Sequence, residues 1–253
     1  MKNKKRIICI GAAIFAVGLS AVLIIGKATI TKNRKERIEL LPAGFTVTAH
    51  SGAMGTVPNS VDSLETSAEN ADIIEFDMNF QKDGTPVLSH DEPIGGEVTL
   101  ERAFEVLSKH KNTKANVDLK STANLPEVQR LAKKYDVTSQ IFFTGVRQED
   151  VETVKRDCPE ISYYLNFDVN KRKNRNDEYI ASIVSAVKES GAIGLNIHFG
   201  GVSNELTYAL HESGLLVSLW TVEKERDILK VLSYLPDNIT TLTPDRVYAV
   251  VNE

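Results

Sequence analysis

The chain has 253 residues, 42% hydrophobic and 25% charged, with a formal net charge of -4. This is enough apolar material for one large core or two small ones, and it lacks the basic surplus of a nucleic-acid-binding domain. The two cysteines are Cys9 and Cys158, and Cys9 lies in an apolar N-terminal segment. That excludes a cysteine-rich metal site and leaves the folded part without an internal disulfide.

Residues 7–25 form an uncharged run of 19, preceded by Lys2, Lys4, Lys5 and Arg6. As a helix the run spans ~28 Å, which matches the hydrocarbon core of a bilayer. The pattern fits a retained signal anchor or a cleaved signal peptide. The run is longer than the usual apolar region of a signal peptide, and Gly26-Lys27-Ala28 is a marginal cleavage site, so the anchor is favoured. Lys27, Lys32, Arg34, Lys35 and Arg37 follow the span as closely as the first cations precede it, which weakens the charge rule for orientation. The very short leading tail still favours a globular part outside the cytoplasm, with secretion as the alternative. The expected organisation is an anchor or signal over 1–26, a charged tether over 27–41 and one folded domain over 42–253.

Within that domain short apolar runs alternate with longer amphipathic ones, the pattern of βα units around a parallel sheet. Strands are expected over 45–50, 73–80, 115–120, 140–146, 161–168, 193–199, 215–222 and 239–243. Helices are expected over 59–71, 100–110, 125–135, 149–158, 178–190, 204–213 and 224–235. Gly191 and Gly214 fall just past two of these, where helix C-caps usually carry glycine. The fold class is therefore α/β, a (β/α)₈ TIM barrel at the small end of its size range. A doubly wound open sheet is the alternative, and no glycine-rich phosphate loop follows the first strand to support it.

Polar residues collect where a barrel enzyme needs them. His50 closes the first expected strand, Glu75 and Asp77 lie in the second, Asp118 and Lys120 close the third, and His198 is near the end of the sixth. Barrel active sites lie at the C-terminal ends of the strands. Glu75 and Asp77 are two residues apart, so they emerge on one face of a strand and can hold one hard cation between them. Solvated charges on an edge strand are the bland alternative, but buried carboxylates are costly unless paired or metal-bound. His50 and His90 flank the pair in sequence.

The ordered set His50-Ser51-Gly52, Asn59-Ser60, Glu75-Phe76-Asp77, Lys82-Asp83-Gly84-Thr85-Pro86-Val87, His90-Asp91, Asn116-Val117-Asp118-Leu119-Lys120 and Ser218-Leu219-Trp220-Thr221-Val222 resembles the glycerophosphodiester phosphodiesterase family. The resemblance runs from about Phe45 to the C-terminus and is strongest in the first third. It implies a TIM-barrel hydrolase that cleaves glycerophosphodiesters to an alcohol and glycerol 3-phosphate with one divalent cation, Mg²⁺ or Ca²⁺. It further implies Glu75, Asp77 and Asp118 as metal ligands, His50 and His90 as general acid and base, and Lys120 as a contact to phosphate oxygens. The chemistry suits an anionic diester, which a hard cation and an ammonium neutralise while two histidines move protons near neutral pH.

Three positions depart from the family pattern: Ser51 replaces an arginine, Pro58 a glutamate and Asp118 a glutamate. A cation and an anion are thus lost together, which is milder than stranding one of them. The segment 91–99 also replaces a sizeable family insertion and implies a more open cleft. A phosphodiester-binding pseudoenzyme and a barrel phosphodiesterase acting on a phospholipid or an envelope polyol-phosphate polymer are the alternatives. His198 faces substrate or is a hydrogen-bonded structural residue, and Trp220 lines the barrel mouth or packs in the core. His110 and His211 read as surface residues. Lys171-Arg172-Lys173-Asn174-Arg175 is a basic loop that meets anionic lipid headgroups or is simply solvated. The expected partners are a small or lipid-derived phosphodiester and, through 7–25, a membrane, with no nucleic acid.

Overall fold

The computed structural model describes Arg34 and residues 36–252; the expected anchor and residues 27–33 and 35 of the tether lie outside the described residues. Eight parallel strands close into a barrel: β1 (Thr46–Ala49), β2 (Ile73–Phe80), β4 (Lys114–Leu119), β5 (Ile141–Val146), β6 (Ser162–Asn166), β7 (Gly194–His198), β8 (Leu216–Trp220) and β9 (Asn238–Thr241). β1 pairs with both β2 and β9, which closes the ring. A ninth strand, β3 (Pro86–Leu88), runs antiparallel along the outer end of β2. The expected TIM-barrel architecture is therefore what the folded part adopts.

The helices are α1 (Val61–Asn70), α2 (Leu100–Lys109), α3 (Leu125–Lys134), α4 (Val151–Asp157), α5 (Asp177–Ser190), α6 (Asn204–Glu212), α7 (Glu225–Leu232) and α8 (Pro244–Val251). Local chemistry starts and stops them. The side chains of Ser60, Thr99, Asn176 and Ser203 each accept a hydrogen bond from an amide three residues on, satisfying a first-turn donor. Gly191 ends α5 in the left-handed region at φ 76°. α2 buries Leu100, Ala103, Phe104, Val106 and Leu107, an apolar stripe at helical spacing that faces the sheet. Both faces of the strands are covered, so a strand such as Ile73-Ile74-Glu75-Phe76-Asp77-Met78 is buried throughout.

Two elements were not read from the sequence. β3 is a three-residue arm whose pairing is set by the turn at Asp83 and Gly84, too short for a periodic signal. α8 holds Val247, Tyr248, Val250 and Val251, a composition that reads as strand; Pro244 in its first turn and packing against β1 and α7 make it a helix. Among the described residues no helix is long and apolar enough to cross a membrane.

Register places the site. In β2 and β4, Glu75 stands opposite Asn116 and Asp77 opposite Asp118, and Asp118 in turn stands opposite Thr144 of β5. One layer of the barrel, near the C-terminal ends of the strands, therefore collects three carboxylates.

One core residue is out of keeping with its surroundings. Gln129 of α3 is buried, and neither its Nε2 nor its Oε1 has a hydrogen-bond partner. An unsatisfied buried amide costs about 1–3 kcal/mol. Gln129→Met, of similar length, is predicted to raise the thermal midpoint by about 2–4 °C per kcal/mol recovered, measured by calorimetry. A fall of that size would show that the amide is satisfied in solution.

Candidate active site

At the C-terminal mouth of the barrel a cleft of about 470 Å³ is lined by His50, Glu75, Asp77, His90, Asp118 and Lys120, with Trp220 at its edge. Glu75 and Asp77 share the inward face of β2, as their spacing of two requires, and both are buried. Asp118 joins them across the β2–β4 pairing. One oxygen from each of the three carboxylates lies within 4.8 Å of the others. Asp118, a methylene shorter than the glutamate of the resembled pattern, thus still belongs to the cluster.

Lys120 Nζ sits 2.5 Å from Asp118 Oδ2 and 3.0 Å from Asp77 Oδ1. It was expected at phosphate oxygens; two of its three N–H groups instead bind carboxylates, leaving one. Burial alone would lower its pKa, but Asp118 and Asp77 outweigh that and hold the ammonium charged, above the usual lysine range. Glu75 has no such partner. Burial first, then the charges of Asp77 and Asp118, push its carboxyl well above the usual range, and the Ser51 amide and Lys120 offset only part of this. Three carboxylates against one ammonium leave two negative charges in a mostly buried all-oxygen site. Donor type, spacing and charge all fit one hard divalent cation such as Mg²⁺ or Ca²⁺.

The loop between β1 and α1 holds these ligands in place. The Ser51 amide donates to Glu75 Oε2 at 2.7 Å. The Ser51 hydroxyl accepts from the Asn59 amide at 2.6 Å and donates to Asn59 Oδ1 at 3.1 Å. Asn59 then donates from Nδ2 to Asp77 Oδ2 at 2.9 Å and accepts from the Asp77 amide at 3.0 Å. Gly52 has φ 83°, and a Cβ there would stand 2.8 Å from Pro58 Cγ, so Pro58 folds directly onto the turn after His50. The two departures, Ser51 and Pro58, belong to one turn, with Pro58 on Gly52 and Ser51 bonded to Asn59, so an uncharged hydrogen-bonded turn stands where the family pattern has a cation and an anion.

Each histidine has one ring nitrogen committed. His50 Nδ1 lies 3.0 Å from the Ser51 carbonyl, which can only accept, so Nδ1 is a donor and Nε2 is the nitrogen left for other chemistry. His90 Nδ1 lies 3.0 Å from Asp91 Oδ1 on the exposed loop after β3. The neighbouring carboxylate orients the ring. His198 is not among the residues that line the cleft. Its Nδ1 accepts from the Gly200 amide at 3.1 Å, and its ring lies 4.7 Å from Phe199 and edge-on to Trp220 at 5.6 Å. These are the contacts of the hydrogen-bonded alternative of its two expected roles. His211, expected at the surface, is half-buried and bonds Asp237 Oδ2 at 2.8 Å.

Several site residues were not singled out in the sequence. The Thr144 hydroxyl lies 2.7 Å from Asn116 Oδ1 and 2.8 Å from Asp118 Oδ1. Asn166 Oδ1 accepts from the Gly145 amide at 2.9 Å and from Asn196 Nδ2 at 3.1 Å. Gly145 has φ 74°, and a Cβ there would fall 2.3 Å from the Leu119 carbonyl and 2.9 Å from Asp118 Oδ1, so only glycine lets β5 pass so near the cluster. Arg147 and Asp168 line the mouth. Two signals point to these positions: the spacing of two between Asn116 and Asp118, and a glycine within an apolar strand.

Residues 50–111 match the model of the Glycerophosphoryl diester phosphodiesterase family, a stretch that holds both cleft histidines and the β2 carboxylates. A glycerophosphodiester phosphodiesterase of Bacillus subtilis (strain 168) is 21% identical over 300 aligned residues, covering 98% of each chain. One from Bacillus altitudinis is 23% identical over 246, covering 81% of this chain and 97% of the relative. Among solved structures, an Oleispira antarctica phosphodiesterase in complex with the product sn-glycerol-3-phosphate shares the barrel at a TM-score of 0.66 and 18% identity, over 86% of this chain and 99% of that one. The family match on residues 50–111, the relatives aligned along the chain and the shared barrel together support membership of the glycerophosphoryl diester phosphodiesterase family, whose members are hydrolases of phosphoric diesters.

Proposed function

We propose that the chain hydrolyses a glycerophosphodiester to an alcohol and glycerol 3-phosphate, with one Mg²⁺ or Ca²⁺ held by Glu75, Asp77 and Asp118. The observation that carries this reading is the largely buried cluster of three carboxylates with two histidines in the same cleft. When bound, the cation supplies charge neutralisation to the diester's non-bridging oxygens. The chain's own groups supply the rest. His50, whose Nδ1 is committed to the Ser51 carbonyl, takes the proton from the attacking oxygen at Nε2. His90, oriented by Asp91, gives one to the leaving alkoxide. Lys120 bridges Asp77 and Asp118 and holds them close together, and Arg147 brings a guanidinium to the mouth of a cleft whose Ser51 lacks one. The hydrogen bonds of Ser51 to Glu75 and, through Asn59, to Asp77 argue for an adapted site over a decayed one.

On this reading residues 7–25 anchor the barrel in a membrane, on the side away from the cytoplasm. The uncharged run and its basic leading flank support it. No nucleic acid is expected as partner.

Chelation is predicted to abolish hydrolysis of glycerophosphodiesters, and added Mg²⁺ or Ca²⁺ to restore it. His50→Ala or His90→Ala should lower turnover by roughly 10²- to 10⁴-fold while leaving the thermal midpoint unchanged. Full activity in chelator, or in the double variant Glu75→Ala with Asp77→Ala, would refute the site. For the topology, protease added to intact cells stripped of any wall should cleave beyond residue 27, and protection equal to that of a cytosolic marker would reverse it.

A further inference from the structure

Away from the catalytic cleft, two adjoining hollows of about 270 and 300 Å³ share Arg175, Lys230 and Tyr234. Six cationic side chains line the pair: Arg34, Arg37, Lys171, Arg172, Arg175 and Lys230. No carboxylate lines either hollow. On a chain of net charge -4 this is a concentrated patch of the opposite sign.

The patch is built, not a loose charge run. Buried Asn174, in the middle of the basic loop, donates from Nδ2 to the carbonyls of Gly201 at 2.9 Å and Val202 at 3.1 Å, and its own carbonyl accepts from the Ser203 hydroxyl. Arg37 is fixed from the tether side, its Nε donating to the Ser233 carbonyl at 2.8 Å and its Nη2 to Asn204 Oδ1 at 3.0 Å. Arg175 has Glu205 at 3.7 Å on the rim. Lys171, Arg172 and Lys230 make no ion pair among the described residues. Arg37, already fixed in place, loses little freedom when an anion arrives, and the three unpaired cations have no ion-pair partner among the described residues to give up.

The position in the chain says what covers this surface. Arg34 is where the described barrel begins, and the sequence immediately before it carries Lys32 and Lys27 and then the uncharged run 7–25. The eight residues 26–33 reach at most ~28 Å even when fully extended, so a run inserted in a bilayer holds the hollows within that distance of its surface. Positive charge is continuous from the end of the run to the hollows.

We infer that this double basic hollow docks the barrel onto an anionic bilayer, its ligands being the phosphates of lipid headgroups. The inference rests on the reading of residues 7–25 as an anchor. It adds an orientation to that reading: the hollows face the lipid, and the tether is drawn in alongside them. Each cation near an anionic surface is worth roughly a fivefold gain in partitioning at low salt.

The test uses the full chain with vesicles of phosphatidylcholine alone or with about a third phosphatidylglycerol, the anionic fraction being set high enough for a strong surface potential. Amide exchange of the segments around 170–176 and 230–235 should slow several-fold in the anionic vesicles only. High salt should reverse this, as should Lys171→Gln, Arg172→Gln, Arg175→Gln and Lys230→Gln together. The quadruple variant should hydrolyse soluble substrate at the parental rate; if it does not fold, Lys171→Gln and Lys230→Gln are read singly. Equal exchange in the two vesicles overturns the inference. So does equal slowing by inorganic phosphate in detergent, which would make the ligand a free anion. A chain that fails to float with neutral vesicles contradicts the anchor, and the docking surface then stands or falls on flotation with anionic vesicles alone.

Discussion

Three carboxylates forced into one layer of a barrel repel one another, and the rest of this site answers that repulsion. Strand pairing imposes it: Glu75 and Asp77 share a face of β2, and in-register pairing brings Asp118 opposite Asp77. Lys120 relieves part of it from the end of β4, binding two of the three. Glu75 is left as the uncompensated charge, and its carboxyl is raised accordingly, chiefly by burial. Because the folded state then binds a proton more tightly than the unfolded chain does, the metal-free fold loses stability as pH rises from the ordinary glutamate range through the raised value. A divalent cation removes that cost and converts a liability into a binding site.

The surrounding residues follow from holding such a cluster still. Ser51 reaches Glu75 through its amide and Asp77 through Asn59, so one short loop sets both β2 ligands. Thr144 braces Asp118 from β5, and Gly145 gives β5 the clearance to do so. Replacing a charged pair by Ser51 and Pro58 leaves no buried charge stranded, which is why the turn can change composition without losing the ligand geometry. On the proposed function, phosphate recognition would then fall to other cations, and Arg147 is a guanidinium that lines the cleft.

The barrel was legible because each βα unit writes its own periodicity, and the ligand pair because a spacing of two is unambiguous on a strand. Strand ends were read to within a few residues, and α8 was missed because its valines and tyrosine prefer strands until Pro244 and tertiary packing decide otherwise. Lys120 was placed in the right cleft, but its pairing depends on the β2–β4 register, which one strand cannot announce. Asn116, Thr144, Asn166 and Asn196 look like ordinary polar strand residues until the ring closes and turns them inward. His198 owes its capping position to a three-residue turn at Phe199 that has no periodic signal. The basic hollows join Arg34 and Arg37 to a loop well over a hundred residues later, a proximity only the folded chain reveals.

The central claim is that Glu75, Asp77 and Asp118 form a working divalent-cation site. Calorimetric titration of Mg²⁺ and Ca²⁺ into the full chain, beside Asp118→Asn, tests it most directly. The account predicts one saturable site per chain that Asp118→Asn weakens at least tenfold, since the variant loses an anionic oxygen as well as geometry. Metal affinity that is undetectable in the parent chain, or unchanged by Asp118→Asn, would contradict it.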